Sequence, residues 1–315
     1  MRSDLTDTVL KRLEHLDLRF VPSLVDHTSI RAAPETRVTT LANGLRVATK
    51  STLAFKDTAT VIGVWIDARS RFETEGTNAT AHFLEHMIFK GNASWREVIA
   101  DMVGDINTFT PREQTACYAR VFNEDVSKVL EILADILQNS TFDAERIEQA
   151  RDVILCEIEE VEDRTEEVLD LLHCAAFGNT PLGRTIWGSA ENIESITQEH
   201  LKNYMTTHYT APRVVISAAG AVKHEEVVEL VNKLFTKLPS DPTTSSQLVA
   251  KSPASFTGSE VRIIDGDIKM AHFAVAFEGP AATDPDSIAL MVMLSLLDFG
   301  TKCEHSGSVL SFVLL

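Results

Sequence analysis

The sequence predicts an α+β fold, a mixed β-sheet packed with helices, followed by a truncated copy of the same arrangement. Three observations carry this. Short β-branched runs such as "TATVIGVWIDARS" (58–70) and "RVVISAAGAV" (213–222) read as buried strands. Longer segments with apolar residues every three or four positions, such as "EDVSKVLEILADILQNS" (124–140), read as amphipathic helices. A strand–strand–helix order near 261–298 weakly repeats the one at 36–89.

Taken in order, the chain opens with an extension in which Leu5, Val9, Leu10 and Leu13 suggest a short amphipathic helix. Asp4, Asp7, Glu14 and Asp17 make it a poor transit peptide, and it lacks the apolar core of a secretory signal. "TRVTTLANGLRVATK" (36–50) reads as two strands around a tight turn at Asn43-Gly44. After the strand at 58–70 and the loop "ETEGTNAT", an apolar-rich helix is expected from about Ala79 to Phe89. Residues 106–122 read as one or two strands, with Pro111 at an edge, a bulge or a break. Residues 143–177 form one long acidic helix or two joined ones. Helices are expected again at 197–209 and 224–238. The Pro-, Ser- and Thr-rich stretch 239–260 reads as a linker. Strands near 261–264 and 271–278 and a helix near 285–298 complete the pattern. The expected domains are an extension at 1–33, a complete α+β domain at 34–238, the linker, and a second domain at 261–315. That last piece is too short to bury its own core well.

With 315 residues, 44% of them hydrophobic and 24% charged, the chain can build a real core. No apolar run is long enough to span a bilayer, so no transmembrane segment is expected. The best candidate, "IALMVMLSLL" (288–297), has the length of a buried helix. A net charge of −17 argues against nucleic acid, because counterion release from phosphates needs clustered cations. The same charge suits basic peptides as partners, or plain solubility. Cys117, Cys156, Cys174 and Cys303 show no Cys-x-x-Cys, which fits a reducing compartment and no zinc finger.

The chemistry concentrates in "AHFLEHMIFKGN" (81–92). On a helix, His82 and His86 share a face and can grip one metal ion, with Glu85 beside them. Zinc suits imidazole ligands, and His-x-x-Glu-His is the inverted zincin pattern. The bland alternative is an amphipathic helix with two polar histidines. The five-residue pattern arises by chance in roughly one chain of this length in a hundred. A third ligand is needed. On the acidic helix, Ala150, Val153, Ile154, Ile158 and Val161 mark an apolar stripe, and Glu157 falls within it. A carboxylate on a buried stripe needs a partner, and a metal is a good one.

Several segments carry a family resemblance: "GVWIDARSRFETEGTNATAHFLEHMIFKG", "REQTACYARV", "EILADILQNSTFDAERI", "RDVILCEIEEVE" and "TPLGRTIWGSAENIESIT". From about Asp26 to Met293 they resemble the β-type processing peptidases, plant forms above all, of the pitrilysin/insulinase zinc peptidases. The resemblance implies a zinc endopeptidase that removes basic presequences from imported mitochondrial precursors, in the matrix or at the inner membrane. It also implies a heterodimer with an α subunit and, in plants, a place in the respiratory cytochrome b–c complex. Carried over by position, His82, His86 and Glu157 match the zinc ligands and Glu85 the general base. Glu167 and, with a one-residue gap, Asp170 resemble the acidic pair that receives the presequence arginine. Asn107 and Phe109 resemble the edge strand on which an extended substrate lies.

The chain also departs from that pattern. His86 and Glu157 lie 71 positions apart (157 − 86), a few fewer than in the family, with the loss in "GNASWREVIADMVGDINTF". Ala150 and Cys156 stand where the family has a glutamate and an arginine. The second reading is therefore a catalytically impaired paralogue, serving as a core-type subunit of the cytochrome b–c complex or as a binding partner of the α subunit.

Overall fold

The computed structural model describes residues 35–51, 60–90, 98, 105–109, 111–159, 164–264, 271–281, 284–298 and 308–314. The expected N-terminal helix and most of the shortened stretch after Gly91 lie outside them.

A hairpin opens the fold, β1 (Arg37–Thr40) with β2 (Arg46–Ser51). Its loop closes where Gly44 N–H donates to Leu41 O at 2.9 Å and Leu41 N–H to Leu45 O at 2.8 Å. Gly44 takes the left-handed conformation (φ 91°) that this three-residue loop requires. Then come β3 (Thr60–Ile66) and α1 (Thr80–Glu85), which runs on into a π-helical turn at His86–Lys90. The 106–122 segment divides into β4 (Asp105–Phe109) and β5 (Thr115–Val121), with Pro111 at the break. The helices α2 (Val126–Asn139), α3 (Ala144–Glu159), α4 (Arg164–Phe177), α5 (Ala190–Ser195) and α6 (Gln198–His208) follow, so the acidic 143–177 stretch is two helices. Next come β6 (Val214–Gly220) and α7 (His224–Leu234).

The six strands form one mixed sheet in the order β1-β2-β6-β3-β5-β4, with β2 and β6 parallel and every other pair antiparallel. One face is covered by helices. Ile62, Val64 and Ile66 of β3, Val47 of β2 and Ile216 of β6 point into it and meet Val129, Leu130 and Leu133 of α2 and Val227 and Val231 of α7. Period-2 strands against period-3.6 helices are what the apolar pattern requires. On the opposite face Trp65 stacks on Tyr118, ring centres 6.2 Å apart.

Beyond Leu238 the structure differs from the sequence reading. The stretch read as a linker holds a short helix, α8 (Ser245–Lys251), capped by Thr244, whose side chain accepts from Gln247 N in a capping box. Residues 261–264 are irregular, not a strand. The helix read as buried, α9 (Asp286–Asp298), leaves Ile288, Met291 and Val292 more than half exposed. It connects β7 (Ala271–Phe277) to the parallel β8 (Ser308–Leu314). Two strands cannot cover a helix that is apolar on every side. No described helix is long and apolar enough to cross a membrane.

Candidate metal centre

The loop after β3 builds the start of α1 before any ligand appears. Glu73 folds back beneath it. Its carboxylate accepts from Ala81 N at 2.6 Å, from Ala79 N at 3.1 Å and from Asn78 Nδ2 at 2.8 Å. The two backbone bonds satisfy N–H groups at the helix start that have no partner within the helix. Burial raises the pKa of the Glu73 carboxyl, and the three hydrogen bonds offset only part of that rise. Ala79 is the described non-glycine residue with positive φ, at 92°. It is met by Gly188, itself at φ 77°, where an added Cβ would lie 2.2 Å from the Cβ of Ala79. The entry to α1 is thus fixed by an acid, an asparagine and a glycine from a distant loop. Arg184 seals it by donating to Glu73 O at 2.6 Å.

From there Thr80 to Ile88 are all buried. His82 and His86, one turn apart, bring their Nε2 atoms to 3.2 Å. Glu157 Oε2 arrives from α3 at 3.0 Å from His86 Nε2 and 3.6 Å from His82 Nε2. A tetrahedral ion with bonds of about 2.0–2.1 Å holds its ligand atoms about 3.3 Å apart. The three edges of this triangle bracket that value, so the residues fit a metal ion. Burial pushes the His82 imidazole down more than Glu157 raises it, which favours the neutral ring that ligates. The edge of Trp187 stands against the His82 ring at 5.1 Å.

Glu85, 4% exposed, sits on the same turn. Arg69 Nη1 donates to its Oε2 at 2.9 Å and Thr108 Oγ1 to its Oε1 at 3.1 Å. At the π turn, Arg146 of α3 donates to Met87 O at 3.2 Å, fastening the histidine helix to the helix that carries Glu157.

The apolar stripe that pointed to Glu157 is only partly real. Ile154 is fully buried and Ala150 and Ile158 pack against the core, but Val153 is 51% exposed. The core-facing line runs Ile147, Ala150, Ile154, Ile158, and Glu157 lies at its margin with its side chain 35% exposed. Val161 lies outside the described residues. Cys156, beside the ligand position, is exposed.

Asp170 is engaged within the protein. It is 6% exposed and its carboxylate is already taken: it pairs with the Arg112 guanidinium, accepts from Thr185 Oγ1, and accepts from Ile186 N at 3.1 Å. Arg112 also donates to Asp170 O and to Leu182 O, each at 3.1 Å. Asp170 therefore ties three segments together and holds an internal arginine where a substrate arginine was expected. Glu167, one turn earlier on α4, is half-buried. Asn107 is half-buried in β4, the strand at the sheet's edge, and Phe109 ends the same strand. Glu73, Arg69, Thr108 and Trp187 escaped the sequence reading. A carboxylate shortly before a helix start is a capping signal that could have marked Glu73. The other three depend on the tertiary fold.

Comparison with known proteins gives this geometry a family. The family model described as insulinase (peptidase family M16) matches residues 46–190, and that of the peptidase M16 inactive domain matches 195–310. A probable mitochondrial-processing peptidase subunit beta of Arabidopsis thaliana is 60% identical over 318 residues, covering 96% of this chain and 60% of that protein. The mitochondrial-processing peptidase subunit beta of Bos taurus is 49% identical over 285 residues, covering 88% of this chain and 57% of that protein. The likeness thus extends past Met293, and the chain spans about 60% of the length of these relatives. Among solved structures, a Helicobacter pylori protease is similar with a TM-score of 0.59 at 20% identity, covering 79% of this chain and 58% of that one. A chain of complex III2 from Candida albicans has a TM-score of 0.64 at 18% identity, covering 83% and 60%. Two adjoining family matches, and an assembled triangle of two histidines and a glutamate, make one statement: the chain belongs to peptidase family M16.

Proposed function

We propose that this chain is the metal-bearing part of a zinc endopeptidase of the processing-peptidase β type, which trims basic N-terminal presequences in mitochondria. The observation that supports it best is the triangle of His82 Nε2, His86 Nε2 and Glu157 Oε2, with Glu85 on the same turn. These three residues would hold the ion. Two imidazoles and one carboxylate in tetrahedral spacing favour zinc over magnesium or calcium, which take oxygen ligands. When bound, zinc supplies Lewis acidity, polarising a peptide carbonyl and lowering the pKa of water. Glu85 takes the attacking water's proton on its carboxylate and returns it to the departing amine. Burial of α1 keeps bulk water from the turn that carries both histidines.

Substrate recognition follows from charge and topology. A net charge of −17 attracts a basic presequence. The edge strand β4, with Asn107 and Phe109, offers an extended peptide a place to add as a further strand. Glu167 and Asp170 are the acidic pair assigned to the presequence arginine, Asp170 sharing its carboxylate with Arg112. The partner is a processing-peptidase α subunit, and the site is the matrix or the inner membrane. The division into a catalytic domain at 34–238, a linker at 239–260 and a second domain from 261 is part of this reading. The likeness to a complex III chain carries the fold alone, and the assembled ligand set favours a peptidase over a core-type subunit of the cytochrome b–c complex.

The test is to co-express the chain with an α subunit, measure zinc, and assay cleavage of a presequence peptide. One zinc per chain and cleavage that Glu85→Gln abolishes without loss of zinc are expected. Zinc without cleavage would return the chain to the core-type reading, and absence of zinc would remove the metal reading.

A further inference from the structure

The charge nearest Glu85 comes from Arg69, just past the end of β3. Arg69 is 1% exposed, and Tyr204 Oη fixes its backbone by donating to Arg69 O at 3.0 Å. Its Nη1 lies 2.9 Å from Glu85 Oε2, while its Nε has no hydrogen-bond partner among the described residues. A guanidinium stays charged wherever it is placed. Glu73 also lies within its field, but the Glu73 carboxylate is committed to the Ala79 and Ala81 amides and to Asn78. The direct charged hydrogen bond of Arg69 therefore goes to Glu85, and Thr108 Oγ1 bonds the other oxygen of the same carboxylate.

We propose that Arg69 is a positioning residue that restrains Glu85 by tying its carboxylate to a buried cation. This rests on the reading of Glu85 as the general base. A general base must bring a carboxylate oxygen to the attacking water. Here Arg69 holds one oxygen at 2.9 Å and Thr108 the other at 3.1 Å, both out of bulk water, so reorienting Glu85 toward that water means loosening one of these bonds. The cost falls on the step in which the base acts. Such an interaction lowers turnover without changing how substrate binds. The chain carries a complete ligand set beside a base that is held back.

Two substitutions separate charge from packing. Arg69→Met keeps similar volume and removes the charge, and Arg69→Lys keeps a cation. Each is co-expressed with an α subunit, loaded with zinc and assayed on a presequence peptide. Arg69→Met raises kcat about tenfold or more, the equivalent of ~1.4 kcal/mol off the barrier, with KM and zinc content unchanged. Arg69→Lys stays near the parent chain. A readout independent of activity is thermal unfolding of Arg69→Met, Glu85→Gln and the double variant. Glu85→Gln alone lowers Tm by stranding Arg69, and adding Arg69→Met recovers the loss. If the parent cleaves and Arg69→Met, still zinc-loaded, is no faster, the restraint is overturned while the peptidase reading stands. Additive Tm changes overturn it as well. If neither parent nor variants cleave although zinc binds and the Tm changes are coupled, the peptidase reading fails and the restraint fails with it. Cleavage by Arg69→Met alone, with a silent parent, is the strongest support.

Discussion

The two helices that meet at the candidate metal centre are built on opposite plans. In α1 and the first part of its π turn, every side chain from Thr80 to Ile88 is buried, histidines and glutamate included. In α3, Ile147 and Ile154 face the core while Asp152, Val153 and Cys156 face water, and Glu157 sits at the margin. The histidine helix is therefore part of the core that happens to carry ligands. The glutamate helix is an amphipathic surface helix that lends one carboxylate across a boundary. Arg146 to Met87 O joins the two plans. The lesson is that damage on the α1 side registers first as lost folding, and damage on the α3 side first as lost metal.

The largest effect is expected where α1 begins. Gly188→Val places a Cβ 2.2 Å from that of Ala79, at a φ of 77° that a β-branched residue resists. Neither backbone can retreat, because Glu73 and Asn78 hold the other side of the turn. A loss of about 3 kcal/mol or more in unfolding free energy is expected, with zinc binding lost alongside. Chemical denaturation of the metal-free chain measures it. A stable variant that had merely lost zinc would show that α1 depends far less on the core than its burial implies.

On the other helix, Glu157→Ala should separate the two properties. Zinc affinity should fall by more than the roughly 10–100-fold typical of losing a residue that only supports a ligand. Metal-free stability should move by no more than about 1 kcal/mol, because the side chain is 35% exposed. Competition with a chelator and thermal unfolding of the metal-free chain give the two numbers. A large loss of metal-free stability would place Glu157 in the core, against the contrast drawn between the helices.

How much of this was legible in the sequence follows the same contrast. His82, Glu85 and His86 announce themselves because a four-residue spacing on one helix is local geometry. Glu157 was reached through a stripe that the structure redraws: Ile154 and Ile158 belong to it and Val153 does not. Arg69, Thr108 and Trp187 were not legible, because their roles arise where β3, β4 and the loop before α5 converge on α1. Asp170 shows the same limit from the other side. Its place on a helix could be read, but Arg112, 58 residues away, could not be known to claim it. For the fold, strand and helix identities followed from periodicity, whereas the order β1-β2-β6-β3-β5-β4 is set by contacts that no local pattern encodes. The exposed α9 was misread because apolar composition reports what a helix could bury, not whether a partner surface is there.

The smallest effect sharpens the redrawn stripe. Val153 and Ile154 are neighbours in sequence, one 51% exposed and the other fully buried. Val153→Ser removes little contact area and should change stability by no more than ~0.5 kcal/mol, with zinc affinity untouched. Ile154→Ala, one residue along, should cost about 2–5 kcal/mol, because the cavity it leaves is walled by core residues that cannot collapse into it. Urea unfolding of the two variants side by side decides the matter, since both lie on the same helix and Ala, the better helix former, can only reduce the loss at Ile154. Equal losses would mean that Val153 is covered by another surface in solution and that the stripe first read from the sequence, with Val153 in it, describes the helix better than the line through Ile147, Ala150, Ile154 and Ile158.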